Sequence, residues 1–472
     1  MRAMSLEQIV AAVEKAQIVS KRQTEFTGIG TDTRQDLKGQ LFVALKGEAY
    51  DAHQFLDKAV AAGAAGVLVH ELPTQFNSIG DSVTVIKVAD TLKALQQMGR
   101  WARRQSAAKV VGITGSNGKT TTKEFTAALL GTAQSVHFNR GSFNNHWGVP
   151  FTLLQLPTDK DVAVVEMGMN HAGEITELVG IAEPDVVVCT TVGRAHIEFF
   201  GTIEKIADAK EEIYLSAKPN ATRIFNLDQE LTRKMLDRAK AKFAQAKTLT
   251  FSSKHSEADV YLKIDNMSLK EIVVSGSIGG LSGSAVVPVF GSQNLTNLMA
   301  AACIGMACGM SAVQIWQGLS ACRTNWGRNQ LVTLKSGAQL IFDGYNANPD
   351  SMRALLDNVQ RVSIAGKKIG VFGQMLEMGE LSAELHEELG HLVGQTGFDQ
   401  VYFVGHEVEA FRRGLQKAEY QGQSFLEPEF KESVAVHLSR ELQGGDLAVV
   451  KGSRGMKLER FVLPCEPVAG WA

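Results

Sequence analysis

The sequence predicts a multidomain α/β fold, and three observations carry that expectation. The chain has 472 residues, more than one hydrophobic core ordinarily organises, so about three domains of common size are expected. Short apolar strand-like runs alternate with helical stretches along most of its length, the texture of parallel βαβ units with both sheet faces covered. A glycine-containing loop joins one of those strands to the helix after it. With 44% apolar and 21% charged residues the chain has both core material and a solvated surface, which excludes general disorder. A formal charge of -2 argues against a dedicated nucleic-acid or membrane-surface binder, which needs clustered Lys and Arg. A locally basic pocket for an anionic small molecule remains compatible with it.

In chain order, a helix over Ser5–Ala16 precedes strand-like runs at Gln40–Leu45, Gly66–His70 and Ser82–Val88, with a helix over Phe55–Ala65 between two of them. A polar helix from Thr91 to Gln105 leads into strand Val110–Ile113, helix Thr121–Leu130, and strands Asp161–Glu166 and Asp185–Thr190. Between Ala258 and Phe290 residues alternate in character, as in Glu271-Ile-Val-Val-Ser-Gly-Ser277, which reads as an antiparallel ribbon or edge addition. The alanine-rich Asn294–Cys308 returns to helix. A second α/β series follows Arg328, with strands at Gln339–Tyr345, Lys368–Gly373, Gln400–Gly405 and Asp446–Val450. Boundaries near residue 88 and near Cys322–Gly327 give domains 1–88, 89–323 and 324–472.

Cys189, Cys303, Cys308, Cys322 and Cys465 form no CxxC pair and no zinc spacing, so buried reduced thiols are expected. Met1–Lys21 is broken by Glu7, Glu14 and Lys15 and lacks the apolar core of a signal peptide. No span approaches the ~18 to 20 apolar residues that cross a bilayer. A cytoplasmic location is expected.

The run Lys109-Val-Val-Gly-Ile-Thr-Gly-Ser-Asn-Gly-Lys-Thr-Thr-Thr-Lys123 sets its glycines between a buried strand and a helix. Gly115 and Gly118 let the backbone turn closely around phosphate oxygens, and the N–H groups opening the helix face them. Lys119 can neutralise charge on the β and γ phosphates, and the Thr120 hydroxyl can reach Mg2+. The strict G-x-x-x-x-G-K-[ST] pattern is not met, because Ile113 stands at its first glycine. Thr114, Gly115, Ser116, Asn117, Gly118, Lys119, Thr120 and Thr121 nevertheless describe an ATP-phosphate cradle.

Further along, strand Asp161–Glu166 ends in a carboxylate. Open α/β sheets place ligands beyond the carboxyl ends of their strands, and a carboxylate oxygen suits Mg2+. His196 follows the strand ending at Thr190 in the same manner and offers one imidazole nitrogen to a metal or hydrogen bond. Lys210 lies beside Glu211 and Glu212 on the helical segment Ile203–Leu215, where a solvated charged face is the default reading.

Together these residues resemble the Mur ligase family, the ATP-dependent amino-acid and dipeptide ligases of peptidoglycan precursor synthesis. The phosphate loop, Glu166-Met-Gly-Met-Asn-His-Ala-Gly-Glu174, Ala195-His196, Ala209-Lys210, Asn294-Leu-Thr-Asn297, Asp343-Gly-Tyr-Asn-Ala-Asn-Pro-Asp-Ser-Met352 and Lys451-Gly-Ser-Arg-Gly-Met456 occur in the family's order. Thr31-Asp-Thr-Arg34 and Asp51-Ala-His-Gln-Phe55 extend the likeness to the first domain. The resemblance implies a three-domain Mur ligase architecture: a UDP-sugar-binding α/β domain, a central P-loop ATPase-like parallel sheet that holds ATP, and a C-terminal Rossmann-like domain. It further implies a monomer that joins D-alanyl-D-alanine to UDP-N-acetylmuramoyl tripeptide through an acyl phosphate.

By the same resemblance, Lys119 would bind ATP phosphates, and Thr120, Glu166 and His196 would organise magnesium. Lys210 would be carbamylated, its cation replaced by a carboxylate. Asn294, Asn297, Arg328 and Asp343 would serve the nucleotide. Thr33, Arg34, Asp51, His53, Asn144, Asn145, Tyr345, Asn346, Asn348, Lys451, Ser453 and Arg454 would serve the peptide and UDP-sugar substrates. Three positions depart from the family's habit: Ser142 stands for asparagine, Glu211 for glycine and Gln374 for aspartate. A relative adding a single amino acid, to a peptidoglycan precursor or a folate glutamate chain, is the alternative enzyme. A non-catalytic ATP-dependent regulatory binder is the alternative of another class.

Overall fold

Ser5 opens the first helix with a capping box: its hydroxyl accepts from Gln8 N–H while the Gln8 side chain accepts from Ser5 N–H. The helix spans only Leu6–Ala12, shorter than expected, because Val13 turns to extended backbone and Lys15 is left-handed, which leads into the strand Gln17–Ser20. The structure, a computed structural model, describes residues 3–47, 50–72, 76–139, 141–468 and 471. Two compact units are formed: Met1–Ile113 with Gln134–Val187 and Glu212–Thr222, and Thr114–Ala133 with Val188–Glu211 and Arg223–Ala472. The boundary expected at residue 88 falls inside the first unit and the one near residue 323 inside the second.

The first unit contains a five-stranded sheet in the order Gln17–Ser20, Thr84–Lys87, Gly66–Val69, Leu41–Val43, Ile29–Gly30. The first pair is antiparallel and the rest are parallel. Alternation sorts its side chains: Leu41, Val43, Leu68 and Ile86 pack on Leu6, Ile9, Leu95 and Met98, while Phe42, Val67, Val69 and Val85 pack on Leu56, Ala59 and Ile79. In the same unit Val162–Glu166 pairs in parallel with both Lys109–Thr114 and Val136–Phe138, in a register that sets Glu166 opposite Ile113.

In the second unit the helix Lys119–Leu130 follows the phosphate loop. Thr222–Asn226, Thr248–Ser252 and Val260–Met267 pair in parallel, and Ile272–Ile278 and Leu281–Val287 complete the expected antiparallel ribbon. The helix Asn294–Ala307 is buried almost all round. A six-stranded sheet runs in the order Gln330–Thr333, Gln339–Asp343, Leu447–Lys451, Lys368–Gly373, Gln400–Val404, Gln423–Glu427. Only its first strand is antiparallel. The segments after Asp343, Gly373 and Lys451 therefore emerge together at the carboxyl end of the sheet, where open α/β sheets bind ligands. No helix among the described residues is long and apolar enough to cross a membrane.

The helix Thr91–Arg104, capped by Asp90, ends in Arg103 and Arg104, which pair with Asp185 and Glu183. Its Gly99 lies against Pro150, and a Cβ there would stand 2.6 Å from Pro150 Cβ. Gly99→Leu gains helix propensity but overpacks this contact, so we expect a net destabilisation of ~1–3 kcal/mol. A lower melting temperature by calorimetry checks it.

Candidate active site

The phosphate loop is shaped by contacts that leave no space for side chains at its glycines. Gly115 has φ 146°, and a Cβ on it would collide with Thr190 Oγ1. Gly118 has φ 82° and caps the helix Lys119–Leu130, with Asn297 Oδ1 filling the position of its missing Cβ. Both conformations favour glycine. Outside the loop, Thr190 N–H donates to Thr114 carbonyl (2.9 Å) and Ser116 N–H to Thr191 carbonyl (2.7 Å). The Ser116 hydroxyl exchanges hydrogen bonds with the Gly193 backbone. Lys119 Nζ folds back onto the Gly115 carbonyl at 2.6 Å. Thr121 continues the first turn of the helix.

Asn294 and Asn297 are buried beneath this loop and brace it. Asn297 accepts from the Thr122 hydroxyl (3.2 Å) and donates to Asn294 Oδ1 (3.2 Å), and Asn294 donates to the Phe290 carbonyl (2.8 Å). Arg328 reaches the loop from the C-terminal half: its Nη2 donates to Thr120 Oγ1 at 3.1 Å, and its guanidinium lies 4.1 Å over the Tyr345 ring. Asp343 accepts from Asn329 N–H and from Lys451 Nζ at 2.5 Å, and Lys451 also donates to the Asn346 carbonyl. Lys451 thus ties two strand ends together inside the protein. Ser453 Oγ accepts from Leu376 N–H (2.9 Å), and Arg454 pairs with Glu459 and stacks on Trp326.

His196 is a non-glycine residue with φ 64°, and Glu377, with the same φ, faces it. The imidazole Nδ1 lies 2.8 Å from Glu377 Oε2. Burial lowers the imidazole pKa, Glu377 opposes that, and Lys119 and Lys210 lower it further, so the neutral ring is favoured. Lys210 is 1% exposed. Desolvation first, and the Lys119 charge second, bring its ammonium pKa down to about 7. Glu211, next to it, is taken by Arg238 at 2.6 Å. Gln374 accepts from His406 N–H through its amide oxygen, a bond that needs an acceptor and not a charge.

In the first unit Glu166 Oε1 accepts from Asn144 Nδ2 at 2.7 Å, while its buried Oε2 has no hydrogen-bond partner among the described residues. Such an oxygen is of the kind that fits a cation. Asn145 accepts from Gly148 N–H and shapes its own turn. Thr33 and Arg34 line a cavity of about 850 Å³ together with Phe42, Lys46, Tyr50 and Trp147. Arg34 is paired with Asp32, whose carboxyl it holds down at about 2. Asp51 and His53 bond internally: Asp51 accepts from His53 N–H and touches its Nδ1, and His53 Nε2 accepts from His70 N–H. Their neighbours Ala52 and Phe55 line the cavity.

Sequence reasoning passed over Thr190, Thr191, Glu377 and His386. His386 is buried and accepts from Met375 N–H, so it fixes the segment that carries Glu377. Glu377 follows the strand Lys368–Gly373 and is itself exposed, so nothing in the local sequence marks it as a neighbour of His196.

A family model described as the Mur ligase middle domain matches residues 113–305, and one described as the Mur ligase glutamate ligase domain matches residues 327–454. The UDP-N-acetylmuramoyl-tripeptide--D-alanyl-D-alanine ligase of Bacillus subtilis is 35% identical over 441 residues, 93% of this chain and 93% of that protein. MurF from Acinetobacter baumannii superposes with a TM-score of 0.87 at 30% identity over 98% of both chains. MurF from Thermotoga maritima in complex with ADP gives 0.78 at 28% identity, over 93% of this chain and 96% of that one.

The packing of Thr190 against the loop supplies a direct test. Gly115→Ala combines an unfavourable φ with a steric collision, so ADP binding measured by calorimetry is expected to weaken about tenfold to a hundredfold while the protein stays folded.

Proposed function

The chain belongs to the Mur ligase family, and from that premise we propose that it joins UDP-N-acetylmuramoyl tripeptide to D-alanyl-D-alanine, consuming ATP. The observation that supports this reading most is the meeting of Arg328 with Thr120, which brings the segment before Asp343 onto the phosphate loop. An oxygen of the tripeptide's terminal carboxylate attacks the γ-phosphorus of ATP, and ADP leaves. The amine of the dipeptide then attacks the acyl carbon, loses a proton, and phosphate departs as the amide forms.

In the first step the difficulty is negative charge, and the loop answers it with backbone N–H groups at the start of the helix Lys119–Leu130, the Lys119 ammonium and the Arg328 guanidinium. Thr120, His196 and modified Lys210 are the groups of the second unit that we assign to magnesium. Bound there, the ion would neutralise charge on the transferring phosphoryl group. The cavity lined by Thr33, Arg34 and Trp147 is our choice for the UDP end, its size being suited to a nucleotide.

Carbamylation of Lys210 requires a neutral amine as nucleophile towards carbon dioxide. A pKa near 7 leaves a large neutral fraction at neutral pH. Conversion to a carbamate also removes the repulsion between the Lys210 and Lys119 cations. A cytoplasmic setting accords with five buried free thiols.

Mass spectrometry of products from paired panels of UDP-peptides and amines tests the reaction. A product carrying D-alanyl-D-alanine, with ADP released only when both substrates are present, is expected; addition of a single amino acid, or ATP turnover without ligation, rejects the reading. Lys119→Ala should abolish turnover. Separately, 13C-labelled carbon dioxide is expected to give a carbamate carbon resonance that Lys210→Ala lacks; an unlabelled wild-type protein with full activity rules out the modification.

A further inference from the structure

Asn117 stands between the two glycines of the phosphate loop, and every polar group it carries is taken. Its N–H donates to Thr191 Oγ1 (3.2 Å), and its carbonyl accepts from the hydroxyls of Thr190 (2.6 Å) and Thr191 (3.2 Å). Its carboxamide is held by Asn348: Asn348 Nδ2 donates to Asn117 Oδ1 at 2.8 Å, and Asn117 Nδ2 returns a longer bond to Asn348 Oδ1 at 3.4 Å. Asn348 is at the same time the N-cap of the helix Pro349–Arg361, accepting from Ser351 N–H at 3.0 Å. Two residues later Asp350 Oδ2 accepts from Arg194 N–H at 2.7 Å, and a Cβ on Gly193 would run into that carboxylate. The first turn of one helix therefore grips both the loop and the Thr191–Arg194 segment that braces it.

We propose that Asn348 is a positioning residue for the phosphate loop, and that its carboxamide is spent on Asn117 instead of on the peptide substrate. The inference rests on the reading that this loop binds the phosphates of ATP. A loop bounded by two left-handed glycines has little conformational restraint of its own. Holding it in its binding shape before the nucleotide arrives lowers the ordering cost of binding. The amide pair performs that restraint across 231 residues of sequence and makes nucleotide affinity depend on the helix Pro349–Arg361.

Calorimetric titration of the full-length protein with ADP and magnesium tests this. Asn348→Ser keeps a good N-cap but is too short to reach Asn117, and Asn117→Ala removes the other half of the pair. Each is expected to weaken ADP binding about tenfold, the worth of one hydrogen bond. The double variant should lose no more than either single one, because both sever the same link. The melting temperature of Asn348→Ser and the KM of the UDP-linked substrate should stay at wild-type values. Losses that multiply in the double variant overturn the proposal, as does unchanged ADP affinity with a raised KM for the peptide substrate. A wild-type protein that binds no ADP refutes the ATP reading and this inference with it, whereas wild-type binding with indifferent variants refutes this inference alone.

Discussion

The arrangement depends on the contact between Gly118 and Asn297. A left-handed residue must open the helix Lys119–Leu130, and the absence of its Cβ lets a buried carboxamide occupy the space. From that contact the chain of support runs through Asn294 to the Phe290 carbonyl. Buried amides of this sort are costly when unpaired and rigid when fully paired, and these are paired. The helix Asn294–Ala307 is consequently a foundation for the loop as well as a core element.

Around the loop, charge is distributed unequally. Lys119 and Arg328 bring positive charge, while Asp343 is already matched by Lys451 and Glu211 by Arg238. These two carboxylates are thus committed to internal partners and do not neutralise the phosphate loop. Burial, with the Lys119 charge second, lowers the Lys210 pKa, so this lysine adds little to the positive charge.

Much of the scaffold is legible in the sequence because its strands are short, apolar and continuous: Val162–Glu166, Lys368–Gly373 and Gln400–Val404 follow the runs that suggest them. Gln330–Thr333 and Gln423–Glu427 escape notice, being outer strands with polar residues and no buried face on both sides. The helix after the loop starts at Lys119 instead of Thr121, since a glycine cap leaves no side-chain signal. Residue types at the site are equally legible, but their partners are not. Spacing marks Asn294 and Asn297 as noteworthy without revealing that they meet a missing Cβ. No local pattern can connect Asn117 with Asn348, or mark Asp51 and His53 as bonded to each other and to the His70 backbone.

The strand Leu447–Lys451 comes last in sequence among the six of its sheet, yet lies between Gln339–Asp343 and Lys368–Gly373. During synthesis those two earlier strands have no neighbour to join them until the sixth is made. Assembly of this half is therefore governed by a long-range closure, a slow kind of event. Because Lys451 arrives on that very strand, the Asp343 turn acquires its counter-charge only at the moment the sheet is sealed.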